Sequence, residues 1–145
     1  MYAKNFVGVA AFAAGSVTTA LAGLAHGQWT VTNLSPAGAT ESYGKAAGGA
    51  QQAGYVFADG MTRASVWNRT ASSWVDLSPI GSTDSFGLGS NGSQQVGYAR
   101  VADVGRASLW SGTAASWVDL HPAGSVGSLA YAISDSQQAG YANVG

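Results

Sequence analysis

The chain contains no cysteine. A disulfide framework and a thiolate metal site are therefore both excluded. Charge is scarce as well: only 9% of the 145 residues are Asp, Glu, Lys or Arg, and the formal net charge is -1. Nucleic-acid binding needs a concentrated basic face, and six Lys and Arg spread over the chain do not form one. Carboxylates are also thin. Glu41 is the only Glu, no Asp-x-Asp-x-Asp loop occurs, and no glycosidase-like acid pair stands out by spacing. Helical periodicity is missing after residue 27. What is abundant is Gly, with 21 residues, and aromatics, at 10%. That balance suits closely spaced strands and tight turns better than disorder.

The first 27 residues differ from the rest. Lys4 is the only charge before Glu41, Phe6 to Ala14 is apolar, and small residues run from Ala20 to Gly27. A basic start, a short apolar core and small-x-small sites read as a secretory signal peptide. An uncleaved anchor is the competing reading: Phe6–Ala14 is shorter than the ~20 residues of a spanning helix, though extension to Ala25 reaches that length. Cleavage after Gly27 would leave 118 residues, a domain over 28–145, with no second apolar stretch for a membrane. Such an exported chain without cysteine must draw its stability from a sheet core or from assembly.

The mature part repeats. Gln51-Gln52-Ala53-Gly54-Tyr55, Gln94-Gln95-Val96-Gly97-Tyr98 and Gln137-Gln138-Ala139-Gly140-Tyr141 follow one another at steps of 43 residues. Arg63-Ala64-Ser65-Val66-Trp67 returns as Arg106-Ala107-Ser108-Leu109-Trp110 at the same step. Trp74-Val75-Asp76-Leu77-Ser78-Pro79 returns as Trp117-Val118-Asp119-Leu120-His121-Pro122, with a worn copy in Leu34-Ser35-Pro36. Within the central unit the pattern predicts strands over 94–100, 106–110, 117–120 and 128–133. Turns fall at 101–105, 111–113, 122–124 and 134–136. Ser90-Asn91-Gly92-Ser93 and Asp59-Gly60 are hairpin signals. The predicted class is all-β, built of four-stranded antiparallel repeat units of 43 residues, like the blades of a β-propeller.

The strand order resembles the extracellular HAF repeat family. Arg106-Ala107-Ser108-Leu109-Trp110 stands where that family has His-Ala-Phe-Leu-Trp, and Ser128-Leu129-Ala130-Tyr131-Ala132-Ile133-Ser134 matches its Ser-x-Ala-x-Gly-Ile-Asn strand. The resemblance spans about residues 29–145. It implies a propeller-like fold and a secreted or surface location, and it implies no particular chemistry.

From Leu34 to Gly145 there are about 2.6 units. A propeller has about four to eight blades. Three arrangements follow: several copies complete a ring, the chain belongs to a longer array, or the units form a small ring or an open stack. The first two are preferred, because an open stack leaves sticky edges. A homo-oligomer, or other copies of the repeat, is thus the expected partner.

Recurrent side chains carry the remaining hypotheses. Trp67 and Trp110 lie mid-strand among apolar residues and read as packing between sheets. Trp74 and Trp117 open strands after small polar residues, so an exposed indole face could stack on a sugar. With Gln94 and Gln137, whose amides could bind sugar hydroxyls or form ladders between units, they make the candidate ligand set, and glycans are the possible ligands. Asp76 and Asp119 read as turn or cross-strand hydrogen bonds rather than metal ligands. Arg63 and Arg106 read as partners for a repeat Asp. Asp59, Asp84, Asp103 and Asp135 sit in predicted turns. Gly87-Leu88-Gly89-Ser90-Asn91-Gly92 matches a dinucleotide fingerprint, but no helix follows it. His121 is the only mature histidine, and nothing local equips it for a Ser-His-Asp set. No catalytic residue, metal or cofactor is assigned. The reading is a secreted, non-enzymatic repeat protein acting through self-assembly or surface interaction, with a multivalent carbohydrate-binding module as the alternative.

Overall fold

The computed structural model describes residues 30–145. The segment 1–27, expected to be a signal peptide, and Trp29 lie outside the described residues. The described chain is all-β and antiparallel. Ten strands run in order: β1 (Glu41–Gly48), β2 (Gln51–Ala58), β3 (Met61–Trp67), β4 (Val75–Asp76), β5 (Ser82–Ser90), β6 (Gln95–Val101), β7 (Val104–Trp110), β8 (Val118–Asp119), β9 (Ser125–Ile133) and β10 (Gln138–Val144). They form two four-stranded sheets, β1-β2-β3-β4 and β5-β6-β7-β8, and a two-stranded sheet of β9 and β10. The second sheet packs on the first through β5, and the third packs on the second through β9.

Turn chemistry sets the hairpins. Asp59 and Gly60 both have positive φ, 53° and 77°, between the paired Ala58 and Met61. That is the mirror-image two-residue turn whose twist matches the flanking strands. Ala102 and Asp103 do the same between Val101 and Val104, with φ of 49° and 62°. The Asn91 carboxamide accepts from the amides of Ser93 and Gln94 at 3.0 and 2.8 Å, closing the turn between β5 and β6.

Two details depart from the sequence expectation. The strand that ends one sequence unit does not stay with it: β5 and β9 open the next sheet. Ser82 and Ser125 donate back to the carbonyls of Pro79 and Pro122, and Gly81 and Gly124 have positive φ, so the chain breaks there and crosses over. The predicted strand over 117–120 shrinks to Val118–Asp119. The Trp117 amide is used in a short 3-10 turn, donating to Ala114 at 3.2 Å, and is lost to the ladder.

A bulge and a glycine shape every sheet alike. Lys45, Leu88 and Tyr131 are the extra residues where the register slips. Opposite them, a Cβ on Gly54, Gly97 or Gly140 would fall 1.8, 1.8 or 1.9 Å from the carbonyl oxygen of Tyr43, Phe86 or Leu129. No side chain fits there, which explains the recurrent Gly-Tyr pair.

The core lies between sheets. Trp110 is fully buried against Ala64, Val66 and Leu77 of the first sheet, with Ala99 beside it. Trp67 is buried with Val56 and Ala58, and Leu34 covers it as Leu77 covers Trp110. Polar bonds cross the same gaps: the amides of Ala64 and Ala107 donate to the hydroxyls of Ser85 and Ser128 at 2.9 and 2.8 Å.

Candidate functional site: an open sheet edge

The expected ligand set does not assemble. Trp74 and Trp117 are half-buried and lean on the intersheet clusters. Their indole N–H groups donate to the hydroxyls of Ser65 and Ser108, both at 2.9 Å. Gln94 sits half-buried in the β5–β6 turn, held through its backbone by Asn91. Gln137 is exposed, and its carbonyl accepts from the amide of Ser134 at 2.9 Å. No hydrogen bond or ring contact joins these four among the described residues.

The other recurrent polar residues are structural. Arg63 and Arg106 bind Asp76 and Asp119 at 2.8 and 2.9 Å. The second oxygens of those carboxylates accept from the amides of Ser78 and His121. His121 Nε2 lies 3.0 Å from the Ser125 carbonyl and therefore carries the proton, while Nδ1 accepts from Ser128 at 2.7 Å. No carboxylate orients the ring, and the Ser128 oxygen is buried on the Ala107 amide, so this is no nucleophile–base pair. Among the described residues, no group of three or more His, Asp or Glu could hold a metal ion.

An aromatic row also runs across the sheets. Tyr43, Tyr55, Phe86 and Tyr98 follow one another with centroids 4.8 Å apart. Two of these pairs are cross-strand partners, Tyr43 with Tyr55 and Phe86 with Tyr98. The Lys45 ammonium lies over both rings of the first pair. The cross-strand pairs are stacked, while Tyr55 meets Phe86 edge to face. Burial pushes the Tyr98 phenol above its ordinary value; Asp84 adds to this, while Arg100 opposes it.

Among the described residues, the third sheet has only two strands, where the other two have four. In the complete sheets, β2 and β6 lie between two neighbours. β10 pairs with β9 alone, and all seven of its residues are exposed. Its sequence, Gln-Ala-Gly-Tyr-Ala-Asn-Val, has no charge and no proline, the usual guards of an edge strand. Exposed apolar residues gather here: Val126, Tyr131, Tyr141 and Val144.

Beside this edge a pocket of about 230 Å³ opens. Its walls include Ala107 and Leu120 of the second sheet's chain and Ala130 and Tyr141 of the third. Ala107 and Leu120 stand where Ala64 and Leu77 stand one repeat earlier, and those two hold Trp110. The pocket thus lies at the place equivalent to the one that Trp110 fills one repeat earlier. The glutamines agree. Gln52 Oε1 accepts from the Arg69 amide at 2.8 Å, and Gln95 Oε1 from the Gly112 amide at 2.9 Å. Gln138, next in the series, is exposed and has no such bond.

Ser85 and Ser128 each accept an amide from β3 or β7 of the preceding sheet. Ser42 occupies that position in the first sheet, is 2% exposed, and its hydroxyl has no partner among the described residues. Sequence reading missed Gln138, Ala107, Leu120 and Ser42 as site residues. The only signal was the unit count, which showed a third unit begun with no third Arg-Ala-Ser-x-Trp to follow it.

No family model matches the chain, and neither a curated protein nor a solved structure matches it. No helix of the described residues is long and apolar enough to cross a membrane.

Proposed function

We propose that this chain is a secreted, non-enzymatic repeat protein that acts by self-assembly, one set of propeller-like blades completing another. The reading takes each 43-residue unit as one blade and the chain as a relative of the HAF repeats. A single observation carries it: the third sheet ends in a bare, uncharged strand beside an apolar pocket, while most of the same positions in the first two sheets are buried. An edge of this kind pairs with another chain. A joint between unlike ends is heterologous, giving a ring where the rotation closes and a filament where it does not.

Glycan binding finds less support. The indole N–H groups of Trp74 and Trp117 are committed to serines, and the rings of the aromatic row contact one another. Light scattering on the exported form tests assembly. A discrete species larger than one chain is expected; a folded monomer at every concentration refutes it. A glycan array probed with the folded protein is expected to stay blank.

A further inference from the structure

We infer that His121 makes the joint between the second and third sheets sensitive to pH: the joint holds while the ring is neutral and loosens when it is protonated. The inference is independent of self-assembly, because the joint lies within one chain. The two intersheet joints share one design. In each, an alanine amide of β3 or β7 donates to a serine of the next sheet, Ala64 to Ser85 at 2.9 Å and Ala107 to Ser128 at 2.8 Å. In each, that serine meets one side chain from the loop before its own strand. At the first joint this is Ser78, whose hydroxyl lies 2.9 Å from that of Ser85. At the second it is His121, whose Nδ1 lies 2.7 Å from Ser128 Oγ. The Ser78 and His121 amides are anchored in the same way, each donating over 2.8 Å to Asp76 or Asp119. The difference is chemical. A hydroxyl can both donate and accept at any pH, whereas an imidazole loses its acceptor when it gains a proton.

The Ser128 oxygen accepts from Ala107, so its one proton goes to His121 Nδ1. Nε2 donates to the Ser125 carbonyl at 3.0 Å, which leaves Nδ1 as the ring's only acceptor. Protonation puts an N–H on Nδ1, facing the Ser128 O–H across 2.7 Å. The hydroxyl must then turn away. Ser128 is 5% exposed, and its oxygen bonds only to Ala107 and His121 among the described residues, so its proton is left without an acceptor. An unsatisfied buried hydroxyl is costly. The ring itself is half-buried, so a proton can reach it from solvent. The charged groups beside it are a matched pair 2.9 Å apart: Asp119 of β8, which favours the imidazolium, and Arg106 of β7, which opposes it. β9 and β10 add the phenols of Tyr131 and Tyr141 and no Asp, Glu, Lys or Arg. The Ser128 hydroxyl therefore decides the sign. Acid releases the third sheet from the second before the second leaves the first.

The test follows amide exchange in the full chain between about pH 8 and about pH 5, the range in which an imidazole changes charge. Each rate is corrected for the intrinsic effect of pH on exchange. The Ala107 amide reports the second joint and the Ala64 amide the first. Protection at Ala107 should fall roughly tenfold across the range, the order of loss for one orphaned buried hydroxyl, while protection at Ala64 holds steady. His121→Ser installs the residue of the first joint and should make Ala107 as insensitive to pH as Ala64. Should that variant misfold by circular dichroism, the Ala64 amide of the unaltered protein remains the control. Parallel behaviour of the two amides, or a fall at Ala107 that persists in His121→Ser, overturns the inference.

Discussion

β6 and β10 share five of seven residues, Gln, Gly, Tyr, Ala and Val at matching places. Yet β6 is buried at four positions and β10 at none. The difference belongs to the neighbours. β6 has β7 along one edge, with Trp110 against the preceding sheet; β10 has nothing in either place. A strand of this repeat is therefore no stable object alone, because its hydrophobic face and its free edge are satisfied only by the next strand. This is the nearest-neighbour energetics expected of repeat proteins.

The largest break of the comparison is to empty a filled seat. Trp110→Ala should cost about 3–5 kcal/mol, since the indole is wholly enclosed, and urea unfolding should show the midpoint falling accordingly. The indole N–H of Trp110 has no hydrogen-bond partner, so Trp110→Phe should be far milder than truncation.

Next in size is the glycine that separates the two regions most cleanly. Gly97→Ala drives a Cβ into the Phe86 carbonyl within a strand held on both sides, and it should lower stability by about 2–3 kcal/mol. Gly140→Ala makes the same clash with Leu129, but β10 can peel from β9 without disturbing the complete sheets. Global unfolding should move by under about 1 kcal/mol. Equal thermal shifts for the two variants would refute the contrast.

Trp117→Phe is smaller again. It removes the indole donor to Ser108 and should cost about 1 kcal/mol, with the Arg106–Asp119 pair intact. Calorimetry decides this, and a loss of glycan affinity without loss of stability would revive the sugar reading.

The smallest effect is at alkaline pH. The Tyr98 phenol is raised in the folded protein, so the folded state holds its proton more tightly than the unfolded state. Its contribution is complete below the ordinary tyrosine value and fades as pH rises through the raised one. Tyr98→Phe should flatten the fall in stability above about pH 10. An unchanged slope would mean that partial burial does not raise the phenol.

Much of the fold was legible because its signals are local. Gln-Gln-x-Gly-Tyr, Asp59-Gly60 and Asn91-Gly92 mark strand starts and turns, and the strands lie close to the positions they predict. The intersheet burial of Trp67 and Trp110 and the pairing of Arg63 and Arg106 with repeat aspartates were legible too. Sheet membership was not, because the crossover after Pro79 and Pro122 depends on what β5 and β9 pack against, which no local pattern states. The site was least legible. Its walls are Ala107, Leu120 and Ala130, ordinary core residues whose chemistry lies in what does not cover them. Trp74 and Trp117 drew notice instead, since an aromatic is visible in a sequence and a vacant seat is not.

Amide hydrogen exchange along β6 and β10, at a concentration where light scattering shows the assembled protein, tests the central claim most directly. The account predicts that β10 amides become protected to the level of β6 on assembly and lose that protection on dilution. An assembled protein whose β10 amides exchange as freely as in the monomer would contradict it, and would move the joint to another surface.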